Sequence, residues 1–170
     1  MKVFKDNVNA IIPEFATEGS ACFDLRACFN EKVKIKAYNP HNREMEFPVK
    51  LASNGKLSVQ LQPQFRTLIP TGLIFDIPKN HVIKIYIRSS MALKNGLSLA
   101  NDVAVIDSDY VDPTYVMLYN MTDTPIMVYE GDRIAQAMLE KTINYKLEET
   151  TEKPAQKTAR DGGLGSTGVE

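Results

Sequence analysis

The sequence has little of what a metal centre, a disulfide scaffold or a nucleic-acid binder needs. Its 170 residues include two cysteines and two histidines. Cys22 and Cys28, with five residues between them, match neither a zinc-ligand pair nor a disulfide framework, and read as reduced structural thiols. Twenty Lys and Arg stand against 21 Asp and Glu, a net charge of −1, so there is no basic surface to release counterions from a phosphate backbone. The longest apolar stretches, such as Leu68–Phe75 and Val103–Ile106, fall far short of the roughly 20 residues of a spanning helix. Met1–Ala10 lacks the apolar region of a signal peptide. The expected protein is one globular domain without nucleic-acid or membrane partners, located in the nucleus or cytoplasm (host cytoplasm if viral).

A sustained 3.6-residue period is also missing, and short alternating runs separated by turn residues take its place. The chain reads as all-β. Strands are predicted at 21–27, 33–37, 47–51, 57–61, 66–69, 73–77, 82–87, 103–106, 115–119, 126–129 and 134–139. One short helix is predicted over 90–94, with Ser89 or Ser90 as the N-cap oxygen and Gly96 as the stop. A polar stretch over 38–46, with Pro40 and Asn turn signals, predicts a surface excursion between strands. After about Asn144 the chain turns polar and then Gly-rich, so the expected organisation is one domain over 1–143 and a flexible C-terminal arm over 144–170.

Five segments carry more polar chemistry than sheet packing requires. Asp24, inside the apolar run 21–27, is either an edge residue with a salt-bridge partner or a carboxylate that orients metal-bound water. Arg88-Ser89-Ser90 at a helix start offers a guanidinium, two hydroxyls and backbone N–H groups to a phosphate, or else is an ordinary helix cap. In Asn101–Tyr110, the turn Asp107-Ser108-Asp109-Tyr110 sets a candidate general base beside an aromatic ring, although an Asx-rich turn accounts for part of it. Gly131–Gln136 is a turn entering a strand, with Gln136 able to donate or accept. Arg160–Gly168 suits a polyphosphate by its Gly, Ser, Thr and Arg donors, but it lacks the Lys of a Walker loop and leaves no room for the following helix.

Taken in order, these segments resemble the five motifs of the trimeric dUTP diphosphatases (dUTPases), across Ser20–Gly168. The resemblance implies a distorted jelly-roll, β-barrel-like (β-clip) fold. It implies a homotrimer whose active sites are shared between subunits, and hydrolysis of dUTP to dUMP and pyrophosphate with Mg²⁺, which removes dUTP and supplies dUMP for dTMP synthesis. By position, Asp107 resembles the acid that activates water, and Tyr110 the ring that packs on deoxyribose. Asn101, Ala104, Val105 and Ile106 would line the uracil pocket, with Tyr115 on the opposing strand of a hairpin. Arg88, Ser89, Ser90 and Gln136 resemble the phosphate ligands, and Asp24 the carboxylate holding waters of Mg²⁺. Arg160, Leu164, Gly165, Ser166 and Thr167 would close over the bound nucleotide.

The chain departs from the family pattern in four places. Ser90 replaces a Gly, Val111-Asp112 replaces a residue-Gly pair, Leu164 replaces an aromatic, and an insertion falls at about 38–56. The related dCTP deaminases share the Arg88-Ser89-Ser90-Met91-Ala92 motif, but they need a Glu where this chain has Met117, and a thioether moves no protons. A binding protein without turnover would be expected to have lost the base or the arm, whereas Asp107 and Arg160–Gly168 are both present.

Overall fold

Residues 1–159 are described by a computed structural model, in which strands and turns are joined by one short helix. In chain order these are β1 (Lys2–Lys5), β2 (Phe23–Arg26), β3 (Lys34–Tyr38), β4 (Glu44–Pro48), β5 (Lys50–Leu51), β6 (Leu57–Leu61), β7 (Arg66–Pro70) and β8 (Leu73–Asp76). There follow β9 (His81–Ile87), α1 (Ser89–Asn95), β10 (Leu97–Leu99), β11 (Ala104–Ile106), β12 (Tyr115–Asn120), β13 (Ile126–Tyr129) and β14 (Arg133–Lys141).

The strands form four antiparallel sheets, ordered β10-β12-β7-β3-β4, β11-β9-β14-β2, β13-β6-β5 and β1-β8. They enclose one core in a jelly-roll-like arrangement rather than a closed barrel. Strict alternation puts Ile35 and Ala37 of β3, Thr67 and Ile69 of β7, and Val116 and Leu118 of β12 on the buried face. From the other sheets Leu25, Leu61, Ile83, Ile85 and Ile134 meet them, each fully buried. Burying each such side chain contributes about 1.5–3 kcal/mol. Among the buried polar residues Asn120 is the one at 0% exposure, and it is fully bonded. Its Nδ2 donates to the carbonyls of Leu61 and Thr124, and its Oδ1 accepts from the backbone and hydroxyl of Thr122.

The structure corrects several local expectations. Of the polar stretch 38–46, Tyr38 belongs to β3 and Glu44 to Glu46 to β4, so only 39–43 lie between strands, as a hairpin turn held by Asn39 Oδ1 accepting from the amides of His41 and Arg43 at 2.9 Å. The strand expected at 47–51 is divided at Val49, because β4 pairs with β3 while β5 pairs with β6. The helix begins at Ser89, with Arg88 as its N-cap and no capping side chain, so neither Ser89 nor Ser90 supplies the cap. Gly96 does end it, at φ 62, donating its N–H to the Met91 carbonyl. β1 and β10 were not expected, and both are too short to show a period. No helix among the described residues is long and apolar enough to cross a membrane.

Candidate active site

The first cluster gathers where β11 leaves its sheet. The turn after β10 passes through Asp102 at φ 57, whose N–H donates to the Leu99 carbonyl at 3.2 Å. β11 then pairs with β9, Ala104 opposite Ile85 and Ile106 opposite Ile83. Asp107 follows in the next turn, which is closed by the Tyr110 N–H donating to the Asp107 carbonyl at 3.2 Å. The Tyr110 hydroxyl donates to the Pro113 carbonyl at 3.1 Å, fixing the ring against its own loop. Burial first, then Asp112 and Tyr115, raises the phenol above its ordinary pKa, so Tyr110 stays neutral near pH 7. Thr114 ties the loop to the β7–β8 turn. Its N–H donates to the Leu73 carbonyl at 2.8 Å, and its carbonyl accepts from the Thr71 amide and hydroxyl at 3.1 and 2.7 Å.

These elements enclose a cavity of about 430 Å³ lined by Leu68, Asn101, Ala104, Val105, Ile106, Asp107, Tyr110, Thr114, Tyr115 and Met117. Its size suits a small ligand such as a nucleoside. The seven residues expected from the sequence for base, sugar and acid therefore meet in one place, with the exposed Asp107 carboxylate on the wall. Leu68 and Thr114 are additions that the sequence did not indicate. Met117, weighed there only against a deaminase, forms part of the same wall. The signal was available in part, since Tyr115 and Met117 alternate onto one face of β12, but the pairing of Met117 with Leu68 is a matter of register. One expectation is corrected: β11 and β12 are not the two strands of a paired hairpin. β11 joins β9 and β12 lies between β10 and β7, so Tyr115 reaches the cavity from a different sheet.

The second cluster lies past the far end of β9. Asp24 Oδ1 is 2.9 Å from Arg88 Nε, and Asp24 Oδ2 is 3.1 Å from Arg133 NH1. Gln136 is the cross-strand partner of Asp24, and its Nε2 donates to the Ile87 carbonyl at 3.3 Å. Ser89 and Ser90 open α1 directly after Arg88. Asp24, Arg88, Ser89, Ser90 and Gln136 thus share one neighbourhood, with Asp24 in the ion-paired state that the sequence left as one of its two alternatives. Among the described residues no group of three or more His, Cys, Asp or Glu side chains could hold a metal ion.

The two clusters are well separated within one chain. β11 ends with Ile106 opposite Ile83, five residues along β9 from Arg88, and Asp107 lies one residue further along the chain. At about 3.3 Å per residue this is about 20 Å. Arg160, Leu164, Gly165, Ser166 and Thr167 lie outside the described residues.

A family model described as dUTPase matches residues 50–168 of this chain. A deoxyuridine 5'-triphosphate nucleotidohydrolase of Brucella melitensis is 37% identical over 159 residues, covering 93% of this chain and 85% of its own length. The enzyme of that name from Treponema denticola is 34% identical over 171 aligned positions, covering 99% of both. Among solved structures, a mutant of the Staphylococcus bacteriophage 80alpha dUTPase with dUpNHpp superposes with a TM-score of 0.73 at 18% identity, over 99% of this chain and 98% of that one. The Streptococcus mutans dUTPase superposes at 0.64 with 22% identity, over 85% and 97%. At these identities the structural likeness is one of fold.

Proposed function

The chain belongs to the dUTPase family and is a dUTP diphosphatase; we propose that it works by attack of an Asp107-activated water on the α-phosphorus, giving dUMP and pyrophosphate. What carries the proposal is the cavity in which Asp107 stands beside Tyr110, Asn101 and the backbone of β11. A carboxylate at the mouth of a base-sized cavity accepts the proton that water must lose as it attacks. The Tyr110 ring, anchored through its hydroxyl, packs on deoxyribose and leaves no room for a 2′-hydroxyl. Asn101 and the backbone polar groups of Ala104, Val105 and Ile106 meet the edge of uracil, with Tyr115 across from them.

Arg88, Ser89, Ser90 and Gln136 bind the phosphates. A hard cation that keeps most of its waters needs few protein carboxylates, which suits the lack of a carboxylate cage among the described residues. Asp24 would accept hydrogen bonds from the waters of a Mg²⁺ carried in on the triphosphate, whose charge offsets that of the phosphoryl oxygens.

A separation of about 20 Å along β9 keeps Arg88 and Asp107 of one chain from serving one nucleotide. The proposal therefore sets Arg88 of one subunit beside Asp107 of another in a homotrimer with shared sites. The domain spans residues 1–143, and the arm 144–170 brings Arg160 and Leu164 to Thr167 over the nucleotide. Its place of work is the cytoplasm, where it removes dUTP and supplies dUMP for dTMP synthesis.

The test is pyrophosphate release from dUTP, dCTP, dTTP and UTP with Mg²⁺, alongside Asp107→Asn and a chain ending at Ala159. Hydrolysis of dUTP alone, lowered about 10²–10⁴-fold by Asp107→Asn with nucleotide binding retained, is the expected result. Ammonia release from dCTP would replace this reading with deamination, and silence on all four nucleotides would replace it with binding alone.

A further inference from the structure

Arg133 is absent from the phosphate ligands named above, yet it closes a ring with two residues of that cluster. Asp24 gives one carboxylate oxygen to Arg88 Nε at 2.9 Å and the other to Arg133 NH1 at 3.1 Å. The third side of the ring is backbone, because NH1 of Arg88 donates to the Arg133 carbonyl at 3.3 Å. Arg133 therefore holds Arg88 twice, directly through its carbonyl and indirectly through Asp24.

A local irregularity produces this arrangement. On β14, Gln136 pairs with Asp24 and Ala135 with Leu25, but Arg133 pairs with Arg26, so the register slips across Ile134. In an unbroken strand residues 133 and 136 point to opposite faces. The bulge turns Arg133 onto the face that carries Asp24 and Gln136, and leaves Ile134 and Ala135 both buried at 0% exposure. A bulge forfeits ladder pairing, and here it aims a guanidinium at a carboxylate. With Nε and NH1 both engaged, the planar guanidinium of Arg88 is fixed in orientation while NH2 stays available to an incoming anion. The ordering that a long side chain would otherwise undergo on binding is already present in the free protein.

We propose that Arg133 is a positioning residue of the nucleotide site, one that orients Arg88 toward the phosphate chain before substrate arrives. The inference rests on the reading of Arg88 as a phosphate ligand. With Arg133→Gln, the expected result is a KM for dUTP raised about tenfold with kcat within about twofold of wild type. Affinity for the imido analogue dUpNHpp falls by the same factor, and affinity for deoxyuridine, which has no phosphate, stays put. In an Arg88→Gln background the further change Arg133→Gln alters dUpNHpp affinity by less than about twofold, because its effect passes through Arg88. Arg133→Lys, which still offers Asp24 a cationic donor, recovers most of the loss.

Should Arg133→Gln fail to fold, Asp24→Asn measured without Mg²⁺ breaks the same ring and carries the binding expectations alone: dUpNHpp affinity falls about tenfold, deoxyuridine affinity stays put, and in an Arg88→Gln background the further change alters dUpNHpp affinity by less than about twofold. Additive losses in the double variant, equal losses for deoxyuridine and dUpNHpp, or wild-type behaviour of the single variants would each overturn the inference while dUTP hydrolysis by the wild type stands. A wild-type chain that neither hydrolyses dUTP nor binds dUpNHpp would overturn the phosphate-ligand reading and this inference together.

Discussion

Arg88 and Asp107 stand toward opposite ends of β9, Arg88 directly after its last residue and Asp107 directly after Ile106, which lies opposite Ile83 near its start. Two groups about 20 Å apart cannot act on one scissile phosphate, so a site that needs both draws them from two chains. Arg88→Gln and Asp107→Asn should each be inactive alone. Unfolded together in equal amounts and refolded, they should recover about a quarter of the wild-type rate, the chance that a random interface unites an intact Arg88 with an intact Asp107. A mixture as inactive as its components would place both groups in one chain's site.

Asn120→Ala leaves the carbonyls of Leu61 and Thr124 and the amide of Thr122 without the partner they have in the core. The expected loss is about 2–3 kcal/mol, the scale of stranding buried polar groups. In urea this appears as a lower midpoint with an unchanged m-value. An unchanged midpoint would mean that water takes over all of these bonds.

Burial, seconded by the neighbouring Glu130 carboxylate, pushes the Cys28 thiol from 9.0 up to about 12. Above pH 9 the unfolded chain releases this proton while the folded chain keeps it, so stability falls as pH rises from 9 toward 12. Cys28→Ala should flatten that part of the pH–stability curve. The native thiol should also resist alkylation near neutral pH, read by mass spectrometry, until denaturant opens the core.

Gly72 turns the chain between β7 and β8 at φ 67, and a Cβ there would lie 2.8 Å from Cys28 Sγ and 2.9 Å from Ala10 Cβ. Gly72→Ala combines left-handed backbone strain of about 1–2 kcal/mol with overpacking against buried neighbours. A clear drop in Tm by calorimetry is expected, and a Tm equal to that of wild type would show that the turn repacks freely.

Legibility followed burial. β6 and β13 lie at the residues predicted for them, because apolar runs bounded by turns identify themselves. β4 is predicted only at its last two residues because four of its five residues are exposed, and what holds it is the pairing with β3, including the Lys34–Glu46 and Lys36–Glu44 ion pairs at 3.3 Å. A strand that buries only part of Phe47 has no period to read. Asp24 illustrates the same divide in the site: its type and place in an apolar run mark it as functional or paired, but its partners are 64 and 109 residues away at Arg88 and Arg133.

Residue chemistry and local pattern, both carried by the sequence, determined the all-β class, the helix stop at Gly96 and the candidate residues of the two clusters other than Leu68, Thr114 and Arg133. Only the tertiary structure decided that β11 joins β9 rather than β12, that β14 bulges at Ile134, and that Arg88 and Asp107 stand toward opposite ends of β9. These are questions of register, settled by the closing of long-range ladders around a shared core, and a one-residue slip that would reverse every side chain leaves no trace in local composition.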